Sequence, residues 1–506
     1  MPTTFDTELD APKHRSLAGD LLSGTSTLGI AMVIERGLGF VANVLAARFA
    51  GAQVFGAYSV SLTTANNIAS YAAGGIGSTA TRFSAPHGRE SAEYLTVVRA
   101  LAVISLVSAA IAMGLLYGTA GFLAHWLLRK DDLTYLLRLA SLCAGGAILL
   151  ECCRGFLIGR RKMAAIILLS GIVGIGMLGL MPFAAHFGAT RMIATQAAVA
   201  FVAVLTCLVF ARRLGLTPIG HPPRRSAGGM IREIWGFGLV QLSGLILLNL
   251  AGWWLTSLVA RADKSLSQVG LFAVAHQLRN VVALAPSLLT ESALALMIGS
   301  GPAARDPQRV LAICTFASVM ITIFCAGIGI IVLPWALPLA YGTAFRPGVL
   351  PATLALATAV VHMGSAPASA RLSIVSIRFW GFVNAVWAAI VAATATLFVM
   401  RGGAVSATAI YLAAHFIAGT ITFVYLRLRG ETTSGIIVIY FLATAGVALL
   451  SGEEVLRLHS PSHVTLWSTL MIATVTATLC SLIIAGRQRN LVPDVRQLAR
   501  FAGHVL

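Results

Sequence analysis

The chain has 506 residues, of which 58% are hydrophobic and only 11% charged. A soluble domain carries about a quarter of its residues as charge, so this composition excludes an ordinary water-soluble protein. The net charge of +18 would suggest nucleic acid in a soluble chain, but here it must first be tested against membrane topology.

About fourteen apolar stretches, each near the roughly 20 residues needed to cross a bilayer, follow one another from end to end. In chain order they are 21–49, 54–80, 95–117, 133–153, 163–187, 192–210, 234–260, 269–298, 310–335, 349–370, 379–400, 404–426, 435–450 and 464–485. Asp6, Glu8, Asp10 and Asp20 precede the first stretch, with no basic segment leading into a short apolar core, so no cleaved signal peptide is expected. The longest polar break, 211–233, carries Pro218, Pro222, Pro223 and five arginines. The expected organisation is an all-α polytopic membrane bundle: tail 1–20, six-helix lobe 21–210, basic linker 211–233, six-helix lobe 234–426, two further helices 427–485 and tail 486–506. Bundles that expose a site alternately to two sides of a membrane are often built from two such lobes around a central cavity.

The distribution of Lys and Arg gives an independent check. With the N-terminus in the cytoplasm, 24 fall on the cytoplasmic side and 10 on the other, leaving Arg36 and Arg279 inside spans. Arg48, Lys130, Lys264 and Arg457 belong to the smaller set, and 451–463 reads as the longest external stretch. Both termini are therefore expected in the cytoplasm, and much of the positive charge is topology. The lobes also share an order of residues. Ala47-Arg48 and then Phe55-Gly56-Ala57-Tyr58-Ser59-Val60-Ser61 correspond to Ala260-Arg261 and then Val269-Gly270-Leu271-Phe272-Ala273-Val274-Ala275, which points to duplication.

Ionisable groups inside spans are costly and are functional candidates by default. Arg36 lies mid-span, and Asn43, seven residues on, shares its helix face. Span eight carries His276, Gln277, Arg279 and Asn280; span two carries Asn66, Asn67 and Tyr71. Arginine suits phosphate because its planar fork donates two parallel charge-assisted hydrogen bonds. Arg36 and Arg279 are thus expected to make a cationic cavity for an anionic substrate, with Asn43, Asn67 and His276 as further contacts. The alternative is that either arginine reaches for headgroups or satisfies a buried carbonyl. Glu35 and Glu291 are the candidate carboxylates for a coupling proton or sodium ion; Glu35, adjacent to Arg36, does not face it. Glu151 and Arg154 read as an ion pair at a helix end. The seven cysteines form no Cys-x-x-Cys pairing with a histidine cluster, so no metal or other cofactor is expected.

Other patterns lack their context. Gly174-Ile175-Gly176-Met177-Leu178-Gly179 spells a dinucleotide fingerprint inside an apolar span, where close helix packing explains it better. His125 and Asp131 are one residue too far apart for a His-x4-Asp motif. Pro182, Pro286, Pro334, Pro338 and Pro367 fall in or near spans, where they unpair backbone groups and kink helices.

Glu35-Arg36-Gly37-Leu38-Gly39-Phe40, then Ala47-Arg48-Phe49-Ala50-Gly51 and Phe55-Gly56-Ala57-Tyr58, resembles the opening of the multidrug/oligosaccharidyl-lipid/polysaccharide flippase superfamily. Arg154-Gly155-Phe156-Leu157-Ile158-Gly159-Arg160-Arg161 is similar to the Arg-Gly-x-x-x-Gly element of its polysaccharide transporter branch, and Leu339-Ala340-Tyr341-Gly342-Thr343-Ala344-Phe345 to its segment after span nine. The likeness covers about the first 430 residues. It implies a bacterial inner-membrane flippase, not an enzyme, that moves a polyprenyl-pyrophosphate oligosaccharide by alternating access, with the lipid tail left in the bilayer. Polysaccharide polymerase and glycosyltransferases are the protein partners it implies. Arg36 also matches an arginine of the lipid II flippases, but Ala42-Asn43 and Gln277 depart from that group, which favours a polysaccharide or O-antigen repeat unit. The rivals are a lipid II flippase, a cation-coupled drug exporter, a membrane polysaccharide polymerase or ligase, and a membrane scaffold.

Overall fold

The computed structural model describes residues 17–73, 75–85, 92–214, 227–298, 306–459 and 464–487. Most of the two expected tails and the middle of the expected linker lie outside these residues. The described residues are helical nearly throughout, without a strand. Lipid offers no hydrogen bonds, so each segment must close its backbone bonds within itself, and a helix does so.

The helices are α1 (Leu17–Ala73), α2 (Ile76–Ser84), α3 (Ala92–Phe122, prolonged by a wider turn over Leu123–Leu128), α4 (Leu133–Gly159), α5 (Met163–Ala185) and α6 (Ala189–Arg213). The second half contains α7 (Ala227–Ala262), α8 (Ser267–Ile298), α9 (Pro307–Tyr341), α10 (Val349–Val375), α11 (Ile377–Leu428), α12 (Ser434–His459) and α13 (Val464–Arg487). Among the described residues, ten helical stretches are long and apolar enough to cross a membrane. Large apolar side chains such as Trp126, Ile175, Phe183, Leu205 and Leu397 stay exposed on the bundle surface, as a lipid-facing belt requires.

Two of these stretches are folded pairs. α1 breaks at Gly51 (φ 75°) and α11 at Gly403 (φ 53°), left-handed positions that glycine adopts without a Cβ clash. Glu35 and Leu62 line one cavity, yet a straight helix would hold them about 40 Å apart. The rings of Trp387 and His415 lie 5.3 Å apart across the Gly403 break. Each helix therefore doubles back. With α7 and α8, the described residues then contain fourteen helical arms of spanning length.

The two halves interlock where the hairpins turn. A Cβ on Gly56 would collide with the Leu266 carbonyl, and one on Gly270 with the Ala52 carbonyl. The two contacts are mirror-related in sequence: each glycine stands four residues after the residue whose carbonyl receives the other. Such reciprocity is what a two-fold relation between halves produces. At the same end Arg48 donates to Leu339 O, and Lys130 Nζ donates to Lys264 O at 2.9 Å.

Arg457 lies not in an open stretch but 3% exposed within α12, which runs on to His459, beside fully buried Glu454. Pro334 in α9 has no N–H, so the Ile330 carbonyl loses its helical donor. Arg457 Nη2 takes up that carbonyl at 3.3 Å and Nη1 takes Ile331 O at 3.0 Å. The kink thus docks α12 through a charge that its own Glu454 offsets.

Candidate functional site

The cavities lie between and within the halves. The first, about 340 Å³, is bounded by Asn66, Ser70, Glu151 and Asn249. A second and a third, about 440 Å³ each, share Leu248, Asn249, Arg279 and Tyr411 in their walls. Asn249 of α7 borders all three. A fourth, about 170 Å³, lies within the first half among Glu35, Asn66, Glu151 and Arg154.

Arg279 stands at the junction of the two larger cavities. α8 brings His276 and Asn280 beside it, the returning arm of α1 brings Asn67, and α11 brings Tyr411. Its guanidinium lies over the Tyr411 ring at 5.5 Å and donates from Nη2 to Asn280 Oδ1 at 3.3 Å. Nη1 is buried with no partner among the described residues. Asn67 Nδ2 donates to Asn249 O at 3.2 Å, while its Oδ1 is unpaired. His276, Asn67 and Arg279, three residues singled out from the sequence, therefore meet in one cavity.

Arg36 and Asn43 do not line that cavity. Gln277 Nε2 meets Phe40 O at 3.4 Å and Leu288 meets Gly29; because one number rises as the other falls, α8 runs antiparallel to the first arm of α1. This register sets Arg36 opposite residue 281 and so at almost the depth of Arg279. Arg36 is exposed and has no ion pair among the described residues. On the helical wheel it lies roughly 60° from exposed Val33 and roughly 20° from Asn43. Asn43 Oδ1 is buried and unpaired.

Of the two candidate coupling carboxylates, Glu291 is exposed near the end of α8. Glu35 turns away from Arg36 and forms an ion pair with Arg154 of α4, which also reaches Glu151 Oε1 at 3.3 Å. Gly155, next to Arg154, lies so close to α2 that a Cβ would strike the Gly77 carbonyl; Thr81 Oγ1 donates to Gly155 O at 3.1 Å. The Arg154-Gly155 element thus fixes α4 against α2 and presents Arg154 to the two acids. All seven cysteines are free, and no metal-binding cluster occurs among the described residues. Gly174 of the apparent fingerprint packs on Leu38 of α1.

An aromatic and histidine cluster in the second half was not anticipated. His362 of α10 stacks near His415 of α11 at 4.3 Å, and Tyr411 lies 4.8 Å from His276 and 5.4 Å from Trp387. His362 and His415 are ionisable residues in mid-span, the kind of signal that singled out Arg279; Tyr411 and His415 also share a face at i, i+4.

The helical passes, interlocked halves and central polar space make a fold shared with solved membrane proteins. The chain is similar to the inward closed conformation of the lipid II flippase MurJ, with a TM-score of 0.67 and 14% identity over 91% of this chain and 98% of that one. It is also similar to an inward-facing multidrug resistance MATE family transporter, with a TM-score of 0.59 and 15% identity over 80% and 98%. No curated protein sequence matches it. The chain belongs to the polysaccharide biosynthesis protein family, whose pattern matches residues 21–294, more than half its length.

Proposed function

We propose that this protein is a flippase, not an enzyme, that carries a polyprenyl-pyrophosphate oligosaccharide across a bacterial inner membrane. The observation that carries this reading is Arg279: a guanidinium with an unpaired N–H, buried at the junction of two polar cavities. A free cation in a low-dielectric bundle attracts an anion strongly, and Arg36, at similar depth on the adjoining helix but outside that cavity, adds a second cation along the headgroup's path. Family membership favours a lipid-linked saccharide as the source of that anion.

In the orientation expected from Lys and Arg, the interlocked hairpin end faces outward. The lobes then rock about that contact, releasing it when the site opens to the other side. The headgroup passes through the polar space while the prenyl chain remains in lipid. The source of energy, a proton or sodium gradient, is left to Glu35, Glu291 or another group.

The test is translocation in proteoliposomes of a fluorescent polyprenyl-pyrophosphate oligosaccharide. Wild type moves it, and Arg279→Ala and Arg36→Ala slow it at least about tenfold, the loss of a charged hydrogen bond, with unchanged incorporation into the bilayer. A wild-type rate in Arg279→Ala removes the anchor from this reading. Movement of a cationic dye but not the lipid-linked saccharide would instead establish a drug exporter.

A further inference from the structure

The anion reading uses only one wall of the cavity that extends from Arg279 into the second half. The rest of that wall has a distinct chemistry. Trp387 is 5% exposed, and its indole N–H has no partner. Asn384, three residues earlier on the same arm of α11, has an unpaired buried Nδ2. Trp380 Nε1 donates to Ser369 Oγ at 3.2 Å on the same wall. Among the lining residues no Asp, Glu or Lys occurs, and Arg279 is the sole arginine.

These features discriminate among occupants. Unpaired buried donors cost free energy unless a ligand satisfies them, so a prenyl chain in this cavity would leave both stranded. A sugar ring offers hydroxyl and acyl oxygens that accept from indole and amide N–H, and apolar faces that lie against aromatic rings. An amino sugar would bring a second cation beside Arg279 that competes with it for the diphosphate, and no carboxylate lines the cavity to hold it instead. A uronic acid would find, besides the cation already committed to phosphate, only the paired His362 and His415 imidazoles. At about 440 Å³ the space falls in the range of small-molecule sites.

We propose that this cavity binds the first sugar on the diphosphate, and that this sugar is uncharged: a hexose, deoxyhexose or N-acetylhexosamine. Trp387 Nε1 and Asn384 Nδ2 donate to its oxygens. The proposal rests on Arg279 holding the diphosphate, since Arg279 is the wall shared with the central cavity.

The experiment measures binding to the full-length protein in detergent by calorimetry. The probes share one short prenyl chain: the bare pyrophosphate, and the pyrophosphate bearing N-acetylglucosamine, glucosamine or glucuronic acid. Wild type is expected to bind the N-acetylglucosamine probe about tenfold more tightly than the bare one, the yield of two neutral hydrogen bonds. The two charged-sugar probes gain nothing. Trp387→Phe and Asn384→Ala each remove most of the margin while binding the bare probe as wild type does, which also shows that they fold. Equal wild-type affinity for bare and N-acetylglucosamine probes would overturn the proposal, as would a charged sugar binding as well as the acetylated one. So would equal weakening of both probes by Trp387→Phe and Asn384→Ala. Arg279→Ala reports separately: it should weaken every probe, and undiminished binding of the bare pyrophosphate would refute the diphosphate anchor while leaving the sugar margin to be read by itself.

Discussion

The small cavity in the first half and the larger pair around Arg279 both contain an arginine, but in opposite states. Arg154 is held between Glu35 and Glu151. Arg279 has a tyrosine face, one amide oxygen and an unpaired N–H. Taking any ion out of water is costly, and the cost is offset only when partners surround it. In the first half two carboxylates offset the charge, although Arg154 Nε is itself buried without a partner among the described residues. In the second half no carboxylate lines either cavity beside Arg279. The sign of a buried charge is therefore a poor guide to function until its partners are known.

The comparison can be broken by giving Arg279 what Arg154 already has. Asn280→Asp changes one atom and places a carboxylate where the amide oxygen now accepts from Arg279. If the free cation is the anion site, prenyl pyrophosphate should bind at least about tenfold more weakly, because the pair is neutral and the new charge repels phosphate. Calorimetry checks it, and undiminished affinity would place the anion elsewhere. The reverse test is Arg154→Met, which leaves two acids without a cation. A fully buried broken pair costs about 3–5 kcal/mol; with these groups partly exposed, about 2 kcal/mol is expected after screening. The melting temperature in detergent should fall while prenyl-pyrophosphate affinity changes less than about twofold. A change in affinity as large as that of Asn280→Asp would erase the distinction between the two arginines.

Much of this was legible in the sequence because bilayer thickness and hydrogen-bond closure leave few choices. Fourteen passes followed from apolar length, even where one continuous helix holds two of them. The repeated Gly-x-aromatic segments also identified a real place in the fold, since Gly56 and Gly270 are the glycines that interlock. What failed was pairing across distance. Arg154 reaches Glu35 through 119 residues of intervening chain, and no spacing rule announces such a contact. Trp387, Tyr411 and His415 meet only because α11 reverses at Gly403. Arg457 was placed in a loop because its charge ended an apolar run; in the structure Glu454 and two carbonyls beside Pro334 take that charge inside. Arg36 was legible as an intramembrane cation, but sequence could not show that it stands at the depth of Arg279 and outside the enclosed space.

A smaller asymmetry separates the hairpins that open each half. The first turns at Gly51. The second is braced by Asp263, whose carboxylate accepts from the backbone N–H groups of Ser265 at 3.0 Å and Gln268 at 2.7 Å. The hydroxyls of Ser265 and Ser267 add bonds of 2.9 and 3.0 Å. Partial burial opposes the charge, but these hydrogen bonds outweigh it and hold the carboxyl below its usual range. A depressed folded pKa stabilises the protein above the ordinary carboxylate range, near pH 4, and that contribution disappears as pH falls through the folded value. Asp263→Asn should therefore cost about 1 kcal/mol at neutral pH, the scale of a helix-capping interaction. The gap in melting temperature between wild type and variant should stay level from pH 7 to about 5 and narrow below about 4. A gap that does not narrow would assign the brace to shape rather than charge. Because Lys130 grips the neighbouring Lys264 carbonyl, loosening this turn also loosens the seal between the halves, so its effect on transport should exceed its small effect on melting.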